Sequence, residues 1–150
     1  MTDAETQIEG FIARFSDDVA SQIRAARAAL RARLPGAVEL VYDNYNALAI
    51  AYGASDKLAD VVFSIAAFPK WVRLFFNHGA DLDDPQSRLE GEGAQVRSVK
   101  LSSLAVLDEP AVQALMAQAL RRTNRPIDPA TPSRSVVKSV SARQRPRRPA

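Results

Sequence analysis

One short stretch of the chain gathers the residue types that bind metal ions. His78, Asp81, Asp83 and Asp84 lie close together in sequence. Calcium and magnesium take carboxylate oxygens as ligands, and iron also accepts an imidazole nitrogen. The spacing does not fit the EF-hand loop, and an aspartate-rich turn is more often a solvated loop with local side-chain caps. We therefore consider a metal site for calcium, magnesium or iron, beside the alternative of a solvated loop.

Four aromatic side chains with polar tips are candidates for a ligand or partner surface. They are Tyr42, Tyr45, Tyr52 and Trp71. Such residues usually belong to a core or its edge, but the predicted central strands are apolar on both faces. A two-layer sheet needs only one apolar face, so a tail, a second subunit or a ligand must cover the other. We favour a homodimer through the sheet face or a docked tail over a small-molecule groove.

The basic residues are concentrated at the end of the chain. From Arg121 onward there are nine basic residues and one acid, whereas the preceding part is acidic. Four arginines, Arg143, Arg145, Arg147 and Arg148, are candidates for contact with nucleic-acid phosphates. They lack interleaved aromatic residues for base stacking, so such contact would be weak, salt-sensitive and independent of base sequence. We favour a solvated tail over this alternative.

Several classes of function find no support in the sequence. The absence of cysteine excludes disulfides and thiol catalysis. The glutamates of Glu90–Gly93 would repel phosphate, so this segment is not a nucleotide-binding loop. No apolar run approaches the ~20 residues needed to span a bilayer, and the first residues do not resemble a signal peptide. We therefore expect a cytoplasmic protein that is not an enzyme and does not contact a membrane.

The elements that position these residues begin with a predicted pair of strands from Asp60 to Gly79, joined by a tight turn at Pro69-Lys70. Alternation places Val61 and Phe63 on one face of the first strand and Val62 on the other. Further strands are predicted over 47–52 and 95–101. The segment 38–45 is ambiguous between a helical turn and an extended link.

In the sequence, helices are predicted both before and after these strands. An apolar stripe from Ile8 to Phe15 indicates the first helix, and Ser16 caps a second, which Pro35-Gly36 ends. On the second helix an outer basic row, Arg24, Arg27 and Arg31, is expected to be solvated, with nucleic-acid contact as the alternative. Asp108 is expected to cap the last helix, with Pro110 in its first turn. The pattern predicts an α+β two-layer sandwich, with helices packed on one face of an antiparallel sheet.

The composition divides the chain into two parts. Residues 1–122 form the predicted domain, and residues 123–150 form a basic, proline-rich tail that contains five of the nine prolines. The valines within 134–141 indicate a short strand that could dock on the sheet. The last nine residues, ARQRPRRPA, are expected to remain mobile.

Three segments, LPGAVELVYDNYNALAIAYG, SIAAFPKWVRLFF and NHGADLDDPQSRLEGEGAQVRSVKL, together resemble the YdhG-like family of small bacterial domains. The resemblance covers roughly residues 15–122, and its most telling part is the spacing of Gly79, Asp84-Pro85, Gly91, Gly93 and Arg97. It implies a frataxin-like fold and a binding or chaperone-like function, since one branch has been proposed to be an intracellular iron chaperone. The chain departs from the family pattern at Ala94, where lysine is common.

Overall fold

The computed structural model describes residues 2–150, which form three α-helices and one six-stranded sheet. The helices are α1 (Asp3–Ile12), α2 (Asp17–Arg33) and α3 (Pro110–Arg122). The strands are β1 (Val38–Asp43), β2 (Leu48–Gly53), β3 (Val61–Ala67), β4 (Val72–Phe76), β5 (Arg97–Lys100) and β6 (Arg134–Val140). Three short 3-10 helices occupy Leu58–Asp60, Gly79–Asp81 and Leu104–Asp108.

The strands are arranged in the order β5-β4-β3-β2-β1-β6. Neighbours pair antiparallel except β1 and β6, which run parallel. The turn between β3 and β4 is closed by a 2.9 Å hydrogen bond from the amide of Phe68 to the carbonyl of Trp71, as expected for a tight turn at Pro69-Lys70. The segment that was ambiguous in sequence is strand β1. The prediction of a two-layer α+β fold is confirmed.

One face of the sheet packs against the helices and forms the main core. A row of side chains crosses five strands in register, and all of its members are buried against the helices: Val41, Ile50, Ile65, Leu74 and Val99. Helix α1 contributes Ile8 and Ile12 to this core, and α3 contributes Val112 and Leu115. Burial of these aliphatic side chains supplies the main favourable term in folding.

The first residues of β3 do not lie on the faces that simple alternation predicts. Val62, which we expected opposite Phe63, packs in the helix-side core, whereas Val61 lies in a separate cluster on the outer face. The cause is a register shift between Tyr52 and Gly53 where β2 pairs with β3. A bulge adds one residue to a strand and so changes the alternation at that point.

The predicted N-cap is found at α2, but the N-cap of α3 is a different residue from the one predicted. Ser16 caps α2, since its Oγ accepts a hydrogen bond from the amide of Val19 at 3.4 Å. Helix α3 begins at Pro110, but its N-cap residue is Glu109 rather than Asp108. Asp108 instead accepts a 2.6 Å hydrogen bond from Arg33 at the end of α2. The side chain that we expected to cap α3 therefore ties α3 to α2.

The linker after α3 lies against the turn between α2 and β1. Gly36 has a φ of +85°, and a Cβ at this position would lie 1.9 Å from the carbonyl oxygen of Asp128. The amide of Gly36 also donates a 3.0 Å hydrogen bond to Ser133 Oγ. Only glycine combines this conformation with so close an approach, so the Pro35-Gly36 turn both ends α2 and makes room for the linker.

Side chains from β6 cover part of the outer face of the sheet. Arg134 lies 3.9 Å from the carboxylate of Asp56, and Lys138 Nζ donates to the carbonyl of Asp56 at 3.2 Å. Asp56 follows β2, and β1 separates β6 from β2, so both side chains reach across β1. Leu40 in β1 is accordingly buried. On the other side of the same face, Ser64 and Phe75 are only half-buried.

The end of the chain is docked, contrary to our expectation of a mobile segment. The amide of Ser141 donates to the carbonyl of Asp43 at 2.8 Å, and the amide of Arg145 donates to the carbonyl of Tyr45 at 2.9 Å. Arg147 is buried. Composition indicated solvation because the segment is rich in arginine and proline, but buried Asp43 supplies the partner that composition does not reveal.

Candidate functional site

The four predicted metal ligands do not form one site. His78 and Asp81 line a cavity beside β3, whereas Asp83 and Asp84 line a different depression beside the start of α3. Within residues 2–150, no group of three or more histidine, aspartate or glutamate side chains is arranged to hold a metal ion. These residues therefore do not form the metal site that their types and spacing suggested.

Asp83 and Asp84 have structural roles in the loop after β4. The carboxylate of Asp84 accepts hydrogen bonds from the amides of Arg88 and Leu89, both at 2.9 Å. The main chain of Asp83 is held at both of its polar groups by the side-chain amide of Gln118 in α3. These bonds fix the loop against α3, as expected for the alternative of local side-chain caps.

His78 and Asp81 are placed by a turn that packs closely on β5. The 3-10 helix Gly79–Asp81 follows His78, and the amide of Ala80 donates to the carbonyl of Gln95 at 2.9 Å. A Cβ at Gly79 would lie 2.5 Å from the Cβ of Arg97. Gly79 therefore lets the turn approach β5 closely, which carries His78 and Asp81 to the end of β4.

This turn, the start of β3 and the end of α3 enclose a cavity of ≈ 490 Å³, which we call the α3 cavity. Its apolar walls come from Val62, Phe76, Leu82 and Ala119. Its polar residues come from three separate parts of the chain: Asp60, His78, Asp81, Arg122, Thr123, Asn124 and Arg125. The volume and the mixture of apolar walls with a few polar groups are typical of small-molecule sites.

The charged residues of the α3 cavity are only partly neutralised by one another. Arg125 lies 3.5 Å from the carboxylate of Asp60, which also accepts a 2.5 Å hydrogen bond from Ser55. Arg122 donates to the main-chain carbonyl of Asp81 rather than to its carboxylate. Arg122 and Asp81 are exposed, and each retains hydrogen-bonding capacity for a ligand.

A second polar group, which we call the Arg27 cluster, lies on the same helix-packed face of the sheet but towards the edge formed by β1 and β6. It comprises Arg27 of α2, Glu5 of α1, Glu39 of β1, Tyr52 of β2 and Ser135 of β6. Two nitrogens of Arg27 bond the carboxylate of Glu39 at 2.8 and 2.9 Å, and two also bond Glu5. Tyr52 and Ser135 each donate to Glu39 at 2.7 Å. Arg27 is thus buried in an ion pair, not solvated as predicted.

The Arg27 cluster keeps its carboxylates ionised. Burial alone would raise the pKa of Glu39, but hydrogen bonds from Arg27, Ser135 and Tyr52 lower it below its usual range. The hydrogen bond from Arg27 likewise lowers the pKa of Glu5. Burial and the charge of Glu39 raise the pKa of Tyr52. Groups held in these states do not exchange protons near neutral pH, so the cluster has the character of a structural ion pair.

The candidate arginines of the tail differ in their surroundings. Arg143, Arg145 and Arg148 are exposed, but Arg147 is buried and donates to Asp43 at 2.9 Å. The guanidinium of Arg147 also lies 5.8 Å from the ring centre of Phe15. Its charge serves the docking of the tail, so Arg147 is not placed to contact phosphates.

The four candidate aromatic residues do not share one surface. Tyr52 is fully buried on the helix side, because its hydroxyl bonds Glu39 and its ring joins the core. Tyr42 is half-buried in the outer cluster. Tyr45 and Trp71 are 47% and 40% exposed, and the ammonium of Lys100 lies 5.8 Å from the Trp71 ring. The prediction of a partner surface that includes Tyr52 is therefore wrong.

Sequence reasoning identified His78 and Asp81 in the α3 cavity but missed Asp60, Arg122 and Arg125. The last two stand at and just after the end of α3, where basic residues are common because they favour the helix dipole, whatever their function. The available signal was weak: two arginines and two polar residues in sequence at 122–125, just where the helix ends.

Among residues 2–150, no helix is both long enough and apolar enough to cross a membrane. In comparisons with known proteins, no family model, no curated protein and no solved structure matches this chain.

Proposed function

We propose that this protein is a small-molecule-binding domain of the YdhG-like kind, with the α3 cavity as its site. The observation that carries the proposal is the cavity of ≈ 490 Å³, in which apolar walls meet charged and polar side chains. Such a cavity buries the apolar body of a ligand and orients it through its polar groups. We also propose a frataxin-like fold and a cytoplasmic location.

Binding rather than catalysis is the activity that these residues support. General acid–base or nucleophilic catalysis requires a base within hydrogen-bonding reach of a second catalytic group. Asp60, a carboxylate of the cavity, is engaged by Ser55 and Arg125. The remaining groups of the cavity suit recognition of a polar ligand head.

A neutral fluorescent dye tests the cavity without assuming the charge of the natural ligand. N-phenyl-1-naphthylamine should bind the full chain saturably at one site, with the rise in fluorescence that accompanies transfer to an apolar environment. Ala119→Trp, which fills the cavity from α3, should abolish this rise. Ala117→Trp on the exposed side of the same helix is the matched control and should bind as the wild type does.

The outcome is decided by the contrast between the two variants. Loss of dye binding in Ala119→Trp alone supports the proposal, provided that its unfolding transition resembles that of Ala117→Trp. Should Ala119→Trp fail to fold, Ala119→Leu provides a smaller obstruction at the same position. The α3 cavity would be refuted as the binding site if the dye did not bind the wild type, or if it bound Ala119→Trp and Ala117→Trp equally.

A further inference from the structure

The α3 cavity carries charges of both signs in balance. Arg122 and Arg125 contribute two positive charges, and Asp60 and Asp81 contribute two negative charges. Arg125 and Asp60 already lie within 3.5 Å of each other. Arg122 and Asp81 are therefore the charges best able to meet a ligand.

These two residues are adjacent without forming an ion pair with each other. Arg122 Nη1 donates to the main-chain carbonyl of Asp81, which leaves the carboxylate of Asp81 outside that bond. A guanidinium has five N–H donors, so Arg122 keeps donors for a ligand carboxylate. The site thus offers a donor and an acceptor of opposite charge side by side.

The end of α3 adds a second feature that favours a positive group. Helix α3 ends at Arg122, and both Ala119 and Arg122 line the cavity. The C-terminus of a helix carries a partial negative charge of about half an electron. A ligand with only an anionic group would be attracted by Arg122 but opposed by Asp81 and by this helix end. A ligand with one charge of each sign is attracted at both points.

We infer, in an extension that rests on the proposed function, that the ligand is a zwitterionic α-amino acid with an apolar side chain. Its carboxylate accepts from Arg122, and its ammonium lies at Asp81 and the end of α3. Its side chain packs on Leu82, Ala119 and the exposed part of Val62. The cavity volume is within the range of sites for small molecules and accommodates an aromatic ring.

Three ligands with the same ring and different charges test this inference. L-phenylalanine carries both charges, 3-phenylpropionate only the negative one, and 2-phenylethylamine only the positive one. Each is titrated against the full chain loaded with N-phenyl-1-naphthylamine. Because a hydrogen bond to a charged group contributes substantially to affinity, phenylalanine should displace the dye at a concentration about tenfold lower than either analogue. L-leucine tests the same two charges with an aliphatic side chain.

Two variants assign the charges to residues. Arg122→Gln should weaken phenylalanine but not 2-phenylethylamine, because the amine makes no contact with Arg122 and loses the repulsion of its guanidinium. Asp81→Asn should weaken phenylalanine but not 3-phenylpropionate, because the acid makes no contact with Asp81 and loses the repulsion of its carboxylate. A merely structural effect would weaken all three ligands together. Arg122→Lys keeps the charge and should recover part of the phenylalanine affinity.

The results separate this inference from the proposed function. If the dye binds the cavity but the three ligands displace it equally, or the acid displaces it best, the zwitterion inference is overturned and the cavity proposal stands. The same holds if neither phenylalanine nor leucine competes. If the dye does not bind the wild type, the proposed function fails and the inference fails with it.

Discussion

The Arg27 cluster and the α3 cavity use the same kinds of side chain in opposite ways. In the cluster, each oxygen of Glu39 accepts two hydrogen bonds, and Arg27 bonds two carboxylates. In the cavity, Arg122 bonds a carbonyl and is otherwise exposed. The first group is closed to any further partner, whereas the second is open to one.

The difference follows from which elements supply the residues. The Arg27 cluster joins α1, α2, β1, β2 and β6, so its bonds form as the sheet and helices assemble. The polar residues of the α3 cavity come from connections and from the end of a helix. Rigid elements surround the cluster, and a cavity remains where loops meet. Full hydrogen bonding therefore marks the charges that hold the fold, and spare hydrogen-bonding capacity marks the charges that are available to a ligand.

The largest loss of stability is expected when the central cation of the closed cluster is removed. Arg27→Met should lower the free energy of unfolding by about 3–5 kcal/mol, because Glu39 is left buried without its counter-charge. Urea denaturation measures the change. Arg24→Met is the matched control on the same helix; it removes an exposed pair with Glu9 and should cost at most about 1 kcal/mol.

The double variant Arg27→Met with Glu39→Leu tests whether the loss comes from the unpaired charge of Glu39. Replacing both members of a buried pair by apolar residues removes the uncompensated charge, so the double variant should be more stable than Arg27→Met alone. Equal losses in Arg27→Met and Arg24→Met would contradict the structural role of the cluster.

A buried and an exposed arginine of the tail should differ in the same way. Arg147→Met should lower the free energy of unfolding by about 2–3 kcal/mol, because buried Asp43 loses its closest cation but keeps hydrogen bonds from Gln144. Arg143→Met, in the same tail but exposed, should be nearly neutral. Hydrogen exchange should show faster exchange of the Arg145 amide in Arg147→Met. Unchanged exchange and stability would mean that the tail is not held by this ion pair.

The local features of the fold could be predicted from sequence, and the long-range ones could not. The β3–β4 hairpin and the Ser16 cap depend on residues near in the chain, so periodicity and capping chemistry predict them. Strand β1 was ambiguous because Glu39 and Asp43 interrupt its apolar pattern. Their burial depends on Arg27 in α2 and Arg147 in the tail, which no local pattern reveals.

Only those residues of the candidate site whose type suggests a ligand could be predicted from the sequence. A histidine among aspartates drew attention to His78 and Asp81, but the same reasoning included Asp83 and Asp84, which the fold uses as loop anchors. Arg122 joins the site because the end of α3 lies beside the turn that follows β4, where Arg122 donates to the carbonyl of Asp81. Residue type therefore indicates a polar loop, and topology decides which of its members share a cavity.

The pH dependence of stability tests whether the closed cluster is held in fixed protonation states. The pKa of Glu39 is lowered, so its contribution is present above its usual value of 4.5 and is lost as the pH falls through the lowered value. The pKa of Tyr52 is raised, so its contribution is present below 10.0 and is lost as the pH rises through the raised value. Tyr52→Phe should cost about 1 kcal/mol at neutral pH. Urea unfolding across the pH range should show a smaller alkaline loss than in the wild type, with the acid loss retained.

The smallest effect is expected at the open site. Arg122→Gln and Asp81→Asn should each change the free energy of unfolding by no more than about 0.5 kcal/mol, because both side chains are exposed and water can replace the contact between Arg122 and the carbonyl of Asp81. Asp84→Ala is the control in the same loop and should cost about 1 kcal/mol, since the amides of Arg88 and Leu89 lose their acceptor. Urea denaturation of the three variants measures the ranking. A loss in Arg122→Gln as large as in Arg27→Met would show that the cavity arginine also holds the fold, and the distinction between closed and open charges would fail.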